Sequence, residues 1–195
     1  MFLIININLS DETRTMLRRN FLKGLFITAA SYAIPVKVAF AKKYLTIAQA
    51  QKILWPSEKL IHTPLKLTEV QAELIEDLSD IRVRNLSLNT WRATDGGWFI
   101  VDQVIGKHEN IDIAVALTNH GKIKGIEVLT YRETYGDQVM HPKWRAQFHG
   151  KDSSEYLKLD KQIKNISGAT LSCRHITDGI NRLTHTWTQV LSKVI

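Results

Sequence analysis

Apolar residues along this chain change their spacing twice. Ile47, Ala50, Ile53 and Leu54 recur every three or four positions and stop at Pro56, which predicts a first helix. Thr68 is placed as an N-cap ahead of a second helical stripe, Val70, Leu74 and Leu78. From Trp98 the period shortens. Trp98 to Ile105 is apolar and β-branched, Ile111 to Thr118 alternates, and Ile123 to Tyr131 alternates again, which predicts three strands. Asp95-Gly96-Gly97 marks a turn before the first of them, and Asn119-His120-Gly121 a hairpin turn between the last two. The helical period then returns. Ile176, Ile180, Leu183, Trp187, Val190 and Leu191 form one stripe, predicting a helix from about Ser172 to Lys193. N-terminal helices, an antiparallel sheet and a long C-terminal helix make an α+β fold. The expected division is an N-terminal helical segment over 42–95 and a sheet-and-helix domain over 96–195.

The first 41 residues follow another logic. Arg18-Arg19-Asn20-Phe21-Leu22-Lys23 precedes an apolar stretch from Gly24 to Ile34, then Pro35, Lys37 and the small-x-small triplet Ala39-Phe40-Ala41. This is the three-part layout of a secretory signal, with an apolar core too short for a permanent membrane span. The arginine pair resembles the twin-arginine export signal, used for proteins that fold before crossing. Met16 is then the expected start, and cleavage after Ala41 leaves a mature chain beginning at Lys42. An uncleaved membrane anchor is the competing reading.

Charge changes the picture little. The chain carries a net charge of +7, but five of its basic residues fall before residue 42, and the rest are spread without clusters interleaved with aromatics. Nucleic acid is therefore not an expected partner. The lone cysteine, Cys173, excludes an internal disulfide and any Cys-x-x-Cys metal or haem motif. The seven histidines show no metal-ligand spacing.

Chemistry concentrates in Ile166-Ser167-Gly168-Ala169-Thr170-Leu171-Ser172, just ahead of the long amphipathic helix. Small residues let the backbone approach a ligand, hydroxyls flank the position, and a helix start offers unpaired N–H groups to a phosphate. On local physics alone, a structural N-cap without ligand explains the same residues.

Ser167-Gly168-Ala169-Thr170 followed by Leu171-Ser172 resembles the flavinylation motif of the FMN-binding domain family, which includes subunits of the Rnf complex and of the sodium-translocating NADH:quinone reductase. Two upstream blocks extend the resemblance: Tyr131-Arg132-Glu133-Thr134-Tyr135-Gly136 is similar to the family's Glu-Thr-x-Gly segment, and Trp144-Arg145-Ala146-Gln147-Phe148 to its aromatic stretch. The resemblance covers about residues 96–190. It implies FMN as cofactor, joined through its phosphate to Thr170. It also implies a flavin-attachment loop formed by Ser167, Gly168, Ala169, Leu171 and Ser172, with Glu133, Thr134, Gly136 and Trp144 as further cofactor-binding candidates. Glu133 is read either as a flavin contact or as a solvated strand-end carboxylate. Trp144 and Phe148 are read as stacking partners of the ring or as core, and Arg174 and His175 as phosphate neighbours or as a solvated helix face. The implied role is electron transfer in the periplasm or on the outer face of the cytoplasmic membrane. Implied partners are a flavin transferase for maturation and redox donor and acceptor proteins, some of them membrane-bound. Lys164 departs from the family, which often has Asp three positions before the motif serine, so noncovalent FMN binding stays open. So does a flavin-free module on the same fold. Cys173 stands where a serine is common, as a reactive thiol or a buried small residue.

The export reading has a direct test. Fused to a reporter that works only after export, residues 16–41 should deliver it outside the cytoplasm, and replacing Arg18 and Arg19 by lysine should stop twin-arginine-dependent delivery. Unchanged export would assign the segment to the general secretory route.

Overall fold

A computed structural model of the protein describes residues 42–194. The predicted export signal, Met16 and the cleavage position at Ala41 lie outside these residues. The described part begins with a short strand β1 (Lys42–Lys43), helix α1 (Ile47–Leu54), β2 (Leu60–His62), β3 (Leu65–Lys66) and α2 (Glu69–Ser79). Strands β4 (Ser87–Ala93), β5 (Trp98–Ile105), β6 (Asn110–Leu117) and β7 (Ile123–Tyr131) follow, then a short helix α3 (Pro142–Arg145) set between two 3-10 turns. Helix α4 (Thr170–Gln189) closes the chain with a final 3-10 turn.

The strands form one antiparallel sheet in the order β1-β7-β6-β5-β4-β2, with β3 also paired to β4. The α+β expectation is met. The three central strands lie where alternation placed them, because Ile111, Ile113, Val115 and Leu117 of β6 face one side and Ala114 and Ala116 the other. The first side packs against Ile176, Ile180 and Leu183 of α4, forming the main core together with Phe148, Leu157 and Ile163. The second packs under α1, where Ala50, Leu54 and Trp55 meet Phe99 and Leu129. The small side chains of Ala114 and Ala116 leave room there for Trp55 and Phe99. Among the described residues no helix is long and apolar enough to cross a membrane.

Four expectations need correction. The segment 42–95 is not only helical: β2, β3 and β4 lie in it, and the boundary drawn at residue 96 falls inside the β4–β5 hairpin. Strand β4 alternates only weakly because polar Thr90 and Arg92 share it with Leu88, Trp91 and Ala93, which pack into the clusters. Thr90 is fully buried with its hydroxyl bonded to the Thr63 carbonyl, and the Arg92 guanidinium lies 4.8 Å over the Trp98 ring. Helix α2 starts at Thr68 as expected but turns its other face inward. Val70 is 73% exposed while Ile75 is fully buried. Ala72 and Ser79 bracket Ile75, and these small residues allow the close approach to Leu67 and Val190 that a Leu74 face would prevent. Ser79 meets the cost of burial by donating its hydroxyl to the Ile75 carbonyl at 2.6 Å. In α1 likewise, Ala50 and Leu54 are buried while Ile47 and Ile53 of the predicted stripe are exposed. Trp187 belongs to the α4 stripe but is half-buried, its ring covering the β6–β7 turn at Gly121.

The register of α2 yields an expectation for two adjacent residues. Ile75→Ala should destabilise the fold by about 2–4 kcal/mol, and Leu74→Ala by less than about 0.5 kcal/mol, in denaturant unfolding. Equal costs would return the helix to the predicted face.

Candidate functional site

The amino ends of the three long helices are built in two ways. Helices α1 and α2 each open with a capping box, in which Thr46 pairs with Gln49 and Thr68 with Gln71. Helix α4 has Ala169 at its N-cap and no side-chain cap. Among the described residues the backbone N–H groups of Thr170, Leu171 and Ser172 have no partner. A helix of 20 residues thus ends in free donors and the positive end of its dipole.

The loop ahead of it is clamped from behind. Trp144 donates its indole N–H to the Lys164 carbonyl at 2.8 Å, and the Gln147 side chain accepts the Lys164 N–H at 2.8 Å. Phe148 is fully buried against Trp144, and Arg145 is anchored to the Ile126 carbonyl at 2.6 Å and to Glu127. The Trp-Arg-Ala-Gln-Phe block therefore holds the loop in place. Ala169 N–H closes a turn on the Ile166 carbonyl at 2.9 Å, with Gly168 left-handed at φ 84°.

The Glu-Thr-x-Gly block lies against the helix start. Tyr131 donates its only hydroxyl proton to the Tyr135 carbonyl at 2.6 Å. Its 2.9 Å bond to Ser172 is therefore one in which Ser172 donates, which commits the Ser172 hydroxyl. Burial pushes the Tyr131 phenol above its usual value, and the charges of Glu133 and Asp137 push the same way against the Ser172 bond. Gly136 has φ 92°, and a Cβ there would stand 2.6 Å from the Tyr131 oxygen and 3.2 Å from that of Ser172. Only glycine fits this crossing.

Glu133 does something the sequence reading did not foresee. Its carboxylate accepts the N–H groups of His108 at 2.5 Å and Glu109 at 3.0 Å, tying down the β5–β6 turn. Burial raises its pKa, but the backbone donors of Glu109, His108 and Lys107 outweigh this and hold it below the usual carboxylate value. It is not a free solvated carboxylate, because its Oε1 holds that turn, yet it also lines the groove at the start of α4. His175 donates Nδ1–H to the Gly106 carbonyl at 2.9 Å, which joins α4 to the same turn, while Arg174 is exposed. Cys173 is fully buried, and burial pushes its thiol upward, so the reactive-thiol reading is not supported.

These parts enclose a groove of about 640 Å³. Glu133, Thr134 and Tyr135 form one wall with Lys107 and His108, and Gly168 to Ser172 form the other. Ser167 is exposed at the loop tip, and Gly136 lies behind the wall against Ala169. Trp144 is not in this groove. It lines a second hollow of about 490 Å³ on the other side of the loop, with Lys143, Lys164 and Ile166. Lys107, His108 and Tyr135 were missed. The first two sit in a turn with no motif, and Tyr135 is the variable position of Glu-Thr-x-Gly, here 82% exposed at the groove.

The family described as FMN-binding domain matches residues 106–185, from the β5–β6 turn into the last turns of α4. Over that span the chain matches an FMN-binding domain. FMN is its cofactor, and both walls of the groove fall inside the matched span. Among solved structures, the crystal structure of Shewanella oneidensis NqrC aligns with a TM-score of 0.48 and 18% identity, over 60% of this chain and 65% of that one. No curated protein matches the sequence significantly.

The residues present fit the phosphate end of FMN. Three free N–H groups converge at a dipole end, and a threonine hydroxyl stands beside them on the wall of the groove. The groove volume also falls within the roughly 300–1,000 Å³ common for cofactor sites.

Proposed function

We propose that this protein is an exported electron-transfer flavoprotein whose FMN is joined through its phosphate to Thr170. The observation that carries the reading is the uncapped start of α4, where free N–H groups and the Thr170 hydroxyl share one groove wall. In the attachment, the Thr170 oxygen would bond to the FMN phosphorus of a flavin dinucleotide, the bond from that phosphorus to the departing nucleotide would break, and the hydroxyl proton would leave. Ser172 is a poorer site, because its hydroxyl is buried and already donates to Tyr131. Bound FMN takes up and releases one or two electrons. The chain's share is to hold the phosphate on α4, brace the loop through Trp144 and Gln147, and keep the groove open to solvent beside the exposed Tyr135.

An open groove suits exchange with other proteins, so the expected partners are redox donor and acceptor proteins, including membrane-bound ones. A flavin transferase is the maturation partner. The twin-arginine-like segment Arg18-Arg19-Asn20-Phe21-Leu22-Lys23 supports a location in the periplasm or on the outer face of the cytoplasmic membrane. Lys164 favours a second reading, noncovalent FMN. Its side chain is exposed where the family often shows Asp, although its backbone is clamped on both sides.

Co-expressed with a flavin transferase, the wild type should keep its flavin fluorescence through denaturing electrophoresis. Thr170→Val keeps the side-chain shape and should abolish that fluorescence, at a cost of about 1 kcal/mol of stability for the lost hydrogen bond. Fluorescence that survives in the mutant moves the attachment elsewhere. A yellow wild type that bleaches on denaturation establishes the noncovalent reading.

A further inference from the structure

Helix α4 contains five threonines, and four of them use their hydroxyls in the same way. Thr177 donates to the Cys173 carbonyl at 2.7 Å, Thr184 to Asn181 at 2.8 Å, Thr186 to Arg182 at 2.9 Å and Thr188 to Thr184 at 3.2 Å. This back-bonding to the preceding turn is the ordinary fate of a helical threonine. Thr170 differs. Its oxygen accepts a hydrogen bond from Asn165 Nδ2 at 3.2 Å, and among the described residues its own proton has no acceptor.

The direction of that bond is fixed by a second one. Asn165 Oδ1 accepts the Ile166 N–H at 2.8 Å. A backbone N–H needs an oxygen, so the amide nitrogen is the end that meets Thr170. The Asn165 amide is thus held by the loop and presents a donor to the hydroxyl.

We infer that Asn165 is a positioning residue for the covalent attachment of FMN, acting through the hydroxyl of Thr170. The inference rests on reading Thr170 as the attachment residue. Threonine in a helix has two favoured χ1 wells, one of them set by bonding to its own helix. Donation from Asn165 occupies one lone pair of the oxygen and selects the other arrangement. The second lone pair and the proton remain free. In the transfer, that lone pair forms the bond to the FMN phosphorus of a flavin dinucleotide. The bond from that phosphorus to the departing nucleotide breaks, and the hydroxyl proton leaves with a base or with that nucleotide. No electrons are exchanged. Without Asn165, Thr170 has the same option as the four other threonines, a bond back to the loop that would consume the proton.

Two substitutions separate this role from simple bracing of the loop. Asn165→Asp keeps an acceptor for the Ile166 N–H but removes the donor to Thr170, whereas Asn165→Leu removes both. The readout is the initial rate of covalent flavin incorporation into the flavin-free full chain by a purified flavin transferase, with flavin adenine dinucleotide as donor. Asn165→Asp should lower the rate at saturating dinucleotide about tenfold, the scale of one orienting hydrogen bond. The half-saturating dinucleotide concentration and the melting temperature should stay unchanged, and Asn165→Leu should lose at least as much rate. A wild-type or faster rate in Asn165→Asp would overturn the inference and leave Asn165 as a loop brace. So would rate losses that track lowered melting temperatures in both variants. Failure of the attachment reading looks different: the wild type itself would take up no covalent flavin, and the positioning role would fall with it.

Discussion

An α-helix that begins without a cap leaves donors to be satisfied by something else, and that constraint organises this protein. Helices α1 and α2 end their amino termini with paired threonine and glutamine side chains. Helix α4 has none, although it is the longest of the three and forms one wall of the core. An exposed uncapped start would be met by water. Here it faces a groove whose opposite wall is fixed, so the donors converge on a defined volume. A phosphate would satisfy N–H groups and dipole together, which is the physical basis of the proposed attachment at this end.

The rest of the fold holds that end still. The inner faces of β5, β6 and β7 bury the apolar stripe of α4, fixing the axis of the helix. Tyr131, at the end of β7, links the Tyr135 carbonyl to Ser172 and so joins sheet, turn and helix at one hydroxyl. His175 and Glu133 tie the β5–β6 turn to the helix and to the β7 end respectively. Trp144 and Gln147 grip the two edges of Lys164 from behind. The loop that carries Thr170 is thus set by contacts from several elements, and little of its conformation is left to its own small residues.

Much of this was legible in the sequence where one residue's chemistry decides the outcome. Period-two alternation located β6 and β7, the stripe located α4, and Thr68 located the start of α2. The Ser-Gly-Ala-Thr segment reads as the approach to that helix, which begins at Thr170, two positions before the expected Ser172. What the sequence hid depends on partners distant along the chain. Strand β4 reads as polar because Thr90 and Arg92 are satisfied by Thr63 and Trp98. Helix α2 offers two faces, and the smaller won because packing needs close approach more than bulk. The tie between Glu133 and the β5–β6 turn was hidden because its donors lie more than twenty positions earlier. Trp144 has the aromatic face of a flavin contact, yet its indole N–H is committed to the Lys164 carbonyl.

The central claim is that the start of α4 holds the flavin phosphate at Thr170. Trypsin cuts after Lys164 and after Arg174, so the attachment loop is released as one peptide, Asn165 to Arg174. Tandem mass spectrometry of that peptide from flavin-bearing protein tests the claim directly. The account predicts the added mass of one FMN less one water, with fragmentation placing it on Thr170. An unmodified Thr170 in protein that carries covalent flavin on another residue would contradict it.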